Sequence, residues 1–240
     1  WESPGWYAGA GKLADPGPDT WGRPAWWNRW ELEHRAAREN VIVMDMSFMG
    51  KFMVQGRDAG RCLNRISANN VDGATGEITY TQWLNAQGKL EADLTVTKLA
   101  DDKLFVVVTD TMVRHAETWM KRNIPDGAHA FVTDVTSGYG QLNVQGPRSR
   151  ELLQTLTSVD LSNEAFPFRA AREIDIGYAR VLCTRITYLG ELGYELFIPS
   201  DQAVHVYDKV VAAGEKFGAM HAGLRALGSL RMEKGYRDYG

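Results

Sequence analysis

Two seven-residue stretches ninety positions apart set the narrowest limit on what this chain can fold into. Gly50-Lys51-Phe52-Met53-Val54-Gln55-Gly56 and Gly140-Gln141-Leu142-Asn143-Val144-Gln145-Gly146 each read as a strand closed by a glycine turn. Each leads into a helix, over 57–66 and 147–156, and Pro147 suits a first turn, where its missing N–H costs nothing. The same offset pairs a strand over 103–109 with one over 193–199, a helix over 111–122 with one over 201–217, and Asp93 with Cys183. Four elements in one register predict an α+β fold: duplicated, split β-α-β halves of ferredoxin-like type, with antiparallel sheets and helices on their outer faces. The repeat is expected over about 50–135 and 140–220.

Between the two markers lies a meander of three β-rich runs, 77–84, 89–98 and 103–109, punctuated by Asn85-Ala86-Gln87-Gly88 and Ala100-Asp101-Asp102. Side chains alternate along a strand, so Leu90, Ala92, Leu94 and Val96 share one face of the middle run, and Glu91, Asp93, Thr95 and Thr97 share the other. A carboxylate in mid-strand marks either a wet face or a site, and the pattern alone does not choose. The second half poses the same choice. A strand over 180–188, a tight turn Leu189-Gly190-Glu191-Leu192-Gly193 and a return strand put Glu195 on a face with Phe197, opposite Tyr194, Leu196 and Ile198. A helix beginning at 201 has Asp201 as its expected N-cap. In the last helix, over 222–235, Leu224, Leu227, Leu230 and Met232 are expected to pack inward, with Arg231, Glu233 and Lys234 outward.

The rest of the chain removes competing chemistries. A net charge of -3 without a basic cluster argues against a nucleic-acid or anionic-membrane surface. Cys62 and Cys183 sit in apolar contexts and read as reduced core residues. The five histidines, 34, 115, 129, 205 and 221, have no metal-ligand spacing, so no metal is expected. Phosphate loop, GxSxG elbow and activated nucleophile are missing. The first thirty residues hold six tryptophans, from Trp1 to Trp30, and read as an irregular wrap (1–28) anchored by aromatic burial. Within it Gly9-Ala10-Gly11-Lys12-Leu13-Ala14 loosely matches a dinucleotide fingerprint, but no strand precedes it and Asp15-Pro16-Gly17-Pro18 blocks a helix after it. No flavin or nicotinamide domain is therefore expected here. No apolar run spans a membrane, and the chain reads as a soluble piece, starting without Met and stopping at Tyr239-Gly240.

The runs Asp45-Met46-Ser47-Phe48-Met49-Gly50-Lys51, Tyr80-Thr81-Gln82-Trp83-Leu84-Asn85, Gly88-Lys89-Leu90-Glu91-Ala92-Asp93-Leu94-Thr95-Val96-Thr97, Gln145-Gly146-Pro147, Tyr188-Leu189-Gly190-Glu191-Leu192-Gly193-Tyr194-Glu195 and Ser229-Leu230-Arg231-Met232-Glu233-Lys234-Gly235 occur in that order. Together they resemble the folate-binding aminomethyltransferase family of the glycine cleavage T-protein. In particular they resemble its branch fused to flavin enzymes, the sarcosine and dimethylglycine dehydrogenases, which the entry Gly22-Arg23-Pro24-Ala25-Trp26-Trp27 also favours. The resemblance implies the T-protein fold over 29–240 without its C-terminal β-barrel. It implies capture of a methylene unit from an N-methylated amino acid, as iminium or formaldehyde, on tetrahydrofolate to give 5,10-methylenetetrahydrofolate. By the same resemblance Asp93 is catalytic, Glu195 binds the pterin N–H groups, Tyr80 and Tyr188 flank the ring, and Thr95, Thr109 and Arg231 complete the cofactor-binding set. A carboxylate suits the pterin edge, since it accepts two parallel N–H bonds.

FAD is implied only in a flavin dehydrogenase domain outside this chain, and the compartment is bacterial cytoplasm or mitochondrial matrix. A T-protein arginine falls at Leu227, so anchoring of the folate tail passes to Arg225, Arg231 or elsewhere. A stand-alone aminomethyltransferase, a folate-dependent demethylase and a folate-binding module without chemistry remain open.

Overall fold

A computed structural model describes residues 3–9 and 11–239; Trp1, Ala10 and Gly240, used above, lie outside them. The elements run α1 (Trp27–Glu39), β1 (Val41–Asp45), β2 (Gly50–Gln55), α2 (Ala59–Ile66), β3 (Ile78–Leu84), β4 (Leu90–Ala100), β5 (Lys103–Val108), α3 (Val113–Asn123) and β6 (Phe131–Asp134). They continue β7 (Tyr139–Gln145), α4 (Ser149–Gln154), β8 (Ala171–Ile176), β9 (Ala179–Thr184), β10 (Gly193–Pro199), α5 (Ala203–Gly214), β11 (Ala219–His221) and α6 (Leu224–Glu233). The fold is mixed α+β. One sheet has the order β3-β4-β5-β2-β6, the other β11-β1-β7-β10-β9-β8, and every pairing is antiparallel except β1 with β11.

Each sheet borrows a strand. β1 does not pair with its successor β2 but crosses to β7, with Val43 opposite Val144. β6 likewise crosses to β2, with Val54 opposite Val132. The links that make these crossings tie the sheets together: Lys51 N donates to Thr136 Oγ1 (3.0 Å), and Gln141 N donates to Ser47 Oγ (3.0 Å). The marker glycines close the same motif twice. Gly56 and Gly146 adopt φ of 126° and 129°, and a Cβ there would lie 2.2 Å from the His129 carbonyl oxygen and 2.3 Å from that of Asn40. Glycine is required on both counts.

The outer face of each sheet is apolar and covered by helices. Phe52, Val54, Leu94, Val96, Leu104 and Val106 pack under α2 and α3, where Ala59, Cys62, Leu63 and Ile66 form the stripe of an amphipathic helix. Leu142, Val144, Cys183, Leu196 and Ile198 pack under α4 and α5. The inner faces meet through Met53, Phe105 and Val107 of one sheet and Phe197 of the other, and the Phe105 and Phe197 rings cross edge to face at 5.0 Å. A buried Phe of this kind stabilises by about 1.5–3 kcal/mol through area alone. Helices α1 and α6 pack at one end, around Ile42, Met44, Leu189, Leu227 and Leu230.

Several local expectations change. The strand expected over 180–188 stops at Thr184, beyond which Arg185 exchanges backbone bonds with Arg169 and Ala170 (2.8 Å each) and its side chain donates to the Phe166 carbonyl (2.6 Å). Asp201 is not an N-cap: it lies in a 3-10 turn, and Gln202 precedes α5 without a side-chain cap. Met232 is 67% exposed, on the opposite side of α6 from Leu227 and Leu230. Before α1 the described entry segment forms no helix or strand; Trp21 is fully exposed, whereas Trp6, Trp26 and Trp27 are half-buried and Arg225 lies over the Trp26 ring at 4.1 Å. Backbone bonds also hold it: Leu224 N and Arg225 N donate to the Pro4 and Gly5 carbonyls, and buried Glu33 accepts from Tyr7 N (2.6 Å) and Gly223 N (3.1 Å). These contacts supply the acceptors that the first turn of α6 needs.

Candidate functional site

The β4 alternation holds in three dimensions. Ala92, Leu94 and Val96 enter the core under the helices, so Asp93 and Thr95 face the other sheet. Gln82 lies directly opposite Asp93 on β3, and Tyr80 opposite Thr95. The Tyr80 hydroxyl donates to Asp93 Oδ2 at 2.8 Å, and Gln82 Nε2 donates to Oδ1 at 3.3 Å. Burial nevertheless raises the Asp93 pKa, outweighing both bonds, and nearby Asp238 adds to the rise. Burial, then the Asp93 bond, pushes the Tyr80 phenol up to about 12, so it stays a donor. Tyr80 is half exposed, which makes it a wall and not core.

Tyr188 completes this group from the link between β9 and β10. Its ring stacks on Tyr236 with centroids 6.2 Å apart, and its hydroxyl donates to the Arg237 carbonyl (2.8 Å). Arg231 reaches the same tail, donating to the Tyr236 carbonyl (2.8 Å) and lying 3.5 Å from Asp238. Arg231 thus folds back onto the exposed C-terminal tail. Thr95 is half-buried between Tyr80 and Val107. Thr109 stands just past β5 and donates to Asp110 Oδ1 (3.1 Å).

Glu195 belongs to a second group on the facing sheet. Phe197 shares its face, while Tyr194, Leu196 and Ile198 enter the opposite core, as the alternation predicts. Asn143, across on β7, donates to Glu195 Oε1 at 3.3 Å. Burial raises the Glu195 pKa to about 7, against the lowering influence of Asn143 and of Lys51. Lys51 is fully buried and its pKa falls to about 8, chiefly through burial, although Glu195, Asp45 and Asp134 favour its charge. Flanking Asn143 on the same strand face are Gln141 and Gln145, each 1% exposed; both Gln145 side-chain polar atoms and Gln141 Oε1 lack a protein partner. Buried polar atoms left unpaired cost about 1–3 kcal/mol each, and a bound polar molecule would satisfy them.

The two groups thus project from facing sheets, with Phe105, Val107, Met53 and Phe197 between the sheets, and no direct hydrogen bond joins Asp93 to Glu195. Two surface hollows of about 280 and 290 Å³ lie elsewhere, around Trp27 and His34 and around Trp26 and Arg225, and neither is lined by a carboxylate of the site. Cys183 is not the counterpart of Asp93. It is fully buried in the core on the helix-covered side, because the link from β9 to β10 is longer than the Asp101-Asp102 turn and shifts the register across this hairpin.

Sequence reasoning missed Gln82, Asn143, Gln141, Gln145, Lys51 and Asp238. A signal for three of them was present: Gln141, Asn143 and Gln145 alternate with Leu142 and Val144, a polar stripe on a strand whose other face is apolar. What these residues offer chemically is acceptor carboxylates, donor phenols and buried amides, a set suited to a flat molecule with an N–H edge.

The chain has relatives among known proteins. The chain is 38% identical over its whole length to the 4-methylaminobutanoate oxidase (formaldehyde-forming) of Paenarthrobacter nicotinovorans, covering 29% of that protein. It is 33% identical, over 92% of its length, to the mitochondrial pyruvate dehydrogenase phosphatase regulatory subunit of Mus musculus, covering 26% of that protein. Dimethylglycine and sarcosine dehydrogenases and an aminomethyltransferase are further relatives. The chain spans less than a third of the length of the first two. Its fold matches the glycine cleavage system aminomethyltransferase T of Bartonella henselae with a TM-score of 0.74, at 24% identity, over 85% of this chain and 53% of that one. The family described as the GCVT N-terminal domain matches residues 1–240, and the chain belongs to that folate-binding aminomethyltransferase family.

Proposed function

We propose that this chain binds tetrahydrofolate between its two sheets and joins to it a one-carbon unit released from an N-methylated amino acid, giving 5,10-methylenetetrahydrofolate. The observation that carries the reading is the Asp93 carboxyl, held by Tyr80 and Gln82 on an inner face and opposed by a sheet that presents Glu195. The residues fit the ligand: unpaired Gln141 and Gln145 atoms stand beside Asn143 and Glu195, where a pterin N–H edge needs acceptors. Bound tetrahydrofolate supplies the nucleophilic nitrogen. The chain supplies orientation and proton handling, which need no reactive side chain.

In this reading Glu195 Oε1 and Oε2 receive the ring N–H groups, and Tyr80 and Tyr188 wall the ring. Asp93, whose raised pKa makes it a better base than an ordinary carboxylate, would stabilise positive charge beside it while ionised, and would take a proton at Oδ1 or Oδ2 that it returns to the formaldehyde oxygen as that oxygen leaves as water. Tyr80, kept a donor, holds Asp93 in place. Thr95 and Thr109 line the same side, and Arg231, which lies 3.5 Å from Asp238 in the C-terminal tail, is the candidate anchor for an anionic tail. The two sheets are read as duplicated halves, supported by the matching Gly56 and Gly146 geometry. The amine substrate and a flavin dehydrogenase partner are inferred from the names and lengths of the relatives.

Calorimetric titration of the protein with tetrahydrofolate, followed by assay of formaldehyde consumption, tests the reading. Binding with turnover supports it, and absence of binding refutes it. A second reading, a folate-binding module without chemistry, is favoured by the relative whose name is that of a regulatory subunit; binding without turnover would select it.

A further inference from the structure

The two sheets close on each other at one corner, where β3, the edge strand of one, meets β8, the edge strand of the other. Glu77 bridges to Ala170 there, Ile78 N donates to the Arg169 carbonyl (2.8 Å), and Ala171 N donates to the Gly76 carbonyl (2.7 Å). The same stretch holds the link from β9 to β10, since Arg169 N donates to the Arg185 carbonyl (2.8 Å) and Arg185 N to that of Ala170 (2.8 Å). Tyr80 stands two residues along β3 from Ile78, and Tyr188 three residues along the link from Arg185. Arg169 is thus bonded directly to both of the segments that carry the proposed ring walls.

Its backbone is shaped for that double attachment. An extended residue turns its N–H and C=O to the same side, where both can meet one neighbouring strand. Arg169 sends them to segments of different sheets, and its φ is 67°, the one positive value at a non-glycine residue among those described. An L residue kept at such an angle without compensation shifts a local equilibrium roughly five- to thirtyfold against the kept form. The side chain compensates: Nε returns a bond to the Ile78 carbonyl (2.9 Å), so Arg169 and Ile78 are joined twice, and Nη2 lies 4.0 Å from Glu77 Oε1. Glycine would adopt the angle without strain but could not make the second bond. Strain that the surroundings hold in place is characteristic of ligand clamps.

We propose that Arg169 is a positioning residue for ring binding: the clasp at the closed corner of the two sheets that fixes the spacing of the Tyr80 and Tyr188 walls. This rests on the reading of those two tyrosines as the walls of the folate site. The side chain bonds to neither Asp93 nor Glu195, and the Tyr80 bond to Asp93 lies within one sheet, between β3 and β4. Loss of the clasp therefore acts through the walls: it weakens capture of the ring and leaves the chemical step alone. Nearly half of the Arg169 side chain is exposed, so substitutions there do not open the core.

Three variants separate a clasp from a merely structural arginine. Arg169→Ala keeps a side chain at the left-handed position and loses the Nε bond. It should weaken calorimetric binding of tetrahydrofolate, and raise its KM, about tenfold, with kcat within about twofold of the wild type. Arg169→Gly takes the same φ freely and should bind within about threefold of the wild type. In a Tyr80→Leu background the Arg169→Ala factor should fall below about twofold, because the wall through which the clasp acts is gone. Hydrogen exchange at the Ile78 amide should quicken in Arg169→Ala and not in Arg169→Gly. Unchanged affinity or unchanged Ile78 exchange in Arg169→Ala overturns the proposal, even where the protein becomes less stable to denaturant. An undiminished loss in the Tyr80→Leu background overturns it too, and equal losses in Arg169→Ala and Arg169→Gly mark a guanidinium that acts directly and not as a clasp. If the wild type binds no tetrahydrofolate, the reading of the ligand fails and the positioning role with it; a wild type that binds beside an Arg169→Ala that binds equally well refutes the proposal alone.

Discussion

Replacing Asp93 with Asn separates the chemical role of this residue from any structural one, because the two predict opposite effects on stability. The side chain keeps its shape, and the amide oxygen can still accept the Tyr80 hydroxyl now 2.8 Å from Oδ2. What is lost is charge, together with the bond from Gln82 Nε2 at 3.3 Å, which would meet an NH2 group. Hydrogen bonds to a charged group contribute about 1.5–3 kcal/mol each, yet burial outweighs them here, since the Asp93 pKa is raised. A group whose folded pKa lies above its unfolded one loses stability as pH rises through that value. At pH 7.5 the ionised carboxylate therefore costs the fold something, and Asp93→Asn should unfold no more easily than the wild type, within about 1 kcal/mol, or be slightly more stable. Turnover should behave in the opposite way. Removing a general base typically costs 10²- to 10⁴-fold, or about 3–5 kcal/mol of barrier. Folate affinity should stay within severalfold, because Glu195 and the aromatic walls are untouched. Denaturant unfolding, calorimetric titration and formation of methylene-folate are measured on the same preparation. Unchanged turnover removes Asp93 from the chemistry, and destabilisation by several kcal/mol makes it a structural residue.

Other perturbations follow from the same geometry. Glu195→Gln should become progressively more stable than wild type between pH 5 and 7.5, by up to a few kcal/mol, because the raised Glu195 pKa of about 7 makes its ionisation unfavourable to the fold; a gap in melting temperature that is flat across this range would contradict the assignment. Gly146→Ala and Gly56→Ala should each cost about 3 kcal/mol or more by denaturant titration, since positive φ and a Cβ contact of 2.2–2.3 Å with backbone both oppose a side chain, and tolerance of either would mean that the strand crossing is misplaced. A double-mutant cycle on Phe105→Ala and Phe197→Ala should return about 0.5–1.5 kcal/mol of coupling for their edge-to-face contact; additivity would separate the two inner faces. Cys62 and Cys183, both free and buried, should react with a thiol reagent only at the rate of unfolding, and rapid labelling of the native protein would contradict their placement.

Much of this was legible in the sequence because alternation and turn chemistry are local. Period two alone separates the faces of β4 and β10, placing Asp93 with Thr95 and Glu195 with Phe197, but that these faces look onto another sheet and not onto water depends on the packing of the two sheets. The exchange of β1 and β6 was not legible. The links at 46–49 and 135–138 are short enough for hairpins, and only the pairing of strands distant in sequence decides otherwise. Lys51 was missed for a related reason: a lysine in a strand normally marks solvent, and its burial depends on a sheet supplied from elsewhere in the chain. The pairing of Asp93 with Cys183 failed because a constant offset does not survive links of unequal length. Met232 and Asp201 failed at helix ends, where one residue of drift changes the face or the cap.

The central claim is that two facing sheets hold one reduced folate, with Glu195 on the ring's N–H edge and Asp93 beside its reactive nitrogens. A crystal structure of the protein soaked with 5-formyltetrahydrofolate tests it most directly. The account predicts the ring between Tyr80 and Tyr188, its N–H groups within hydrogen-bond distance of Glu195, and the Gln141 and Gln145 amides newly partnered. Density for the ring on the outer surface near Trp27 or Trp26, or a ring between the sheets that meets neither carboxylate, would contradict it.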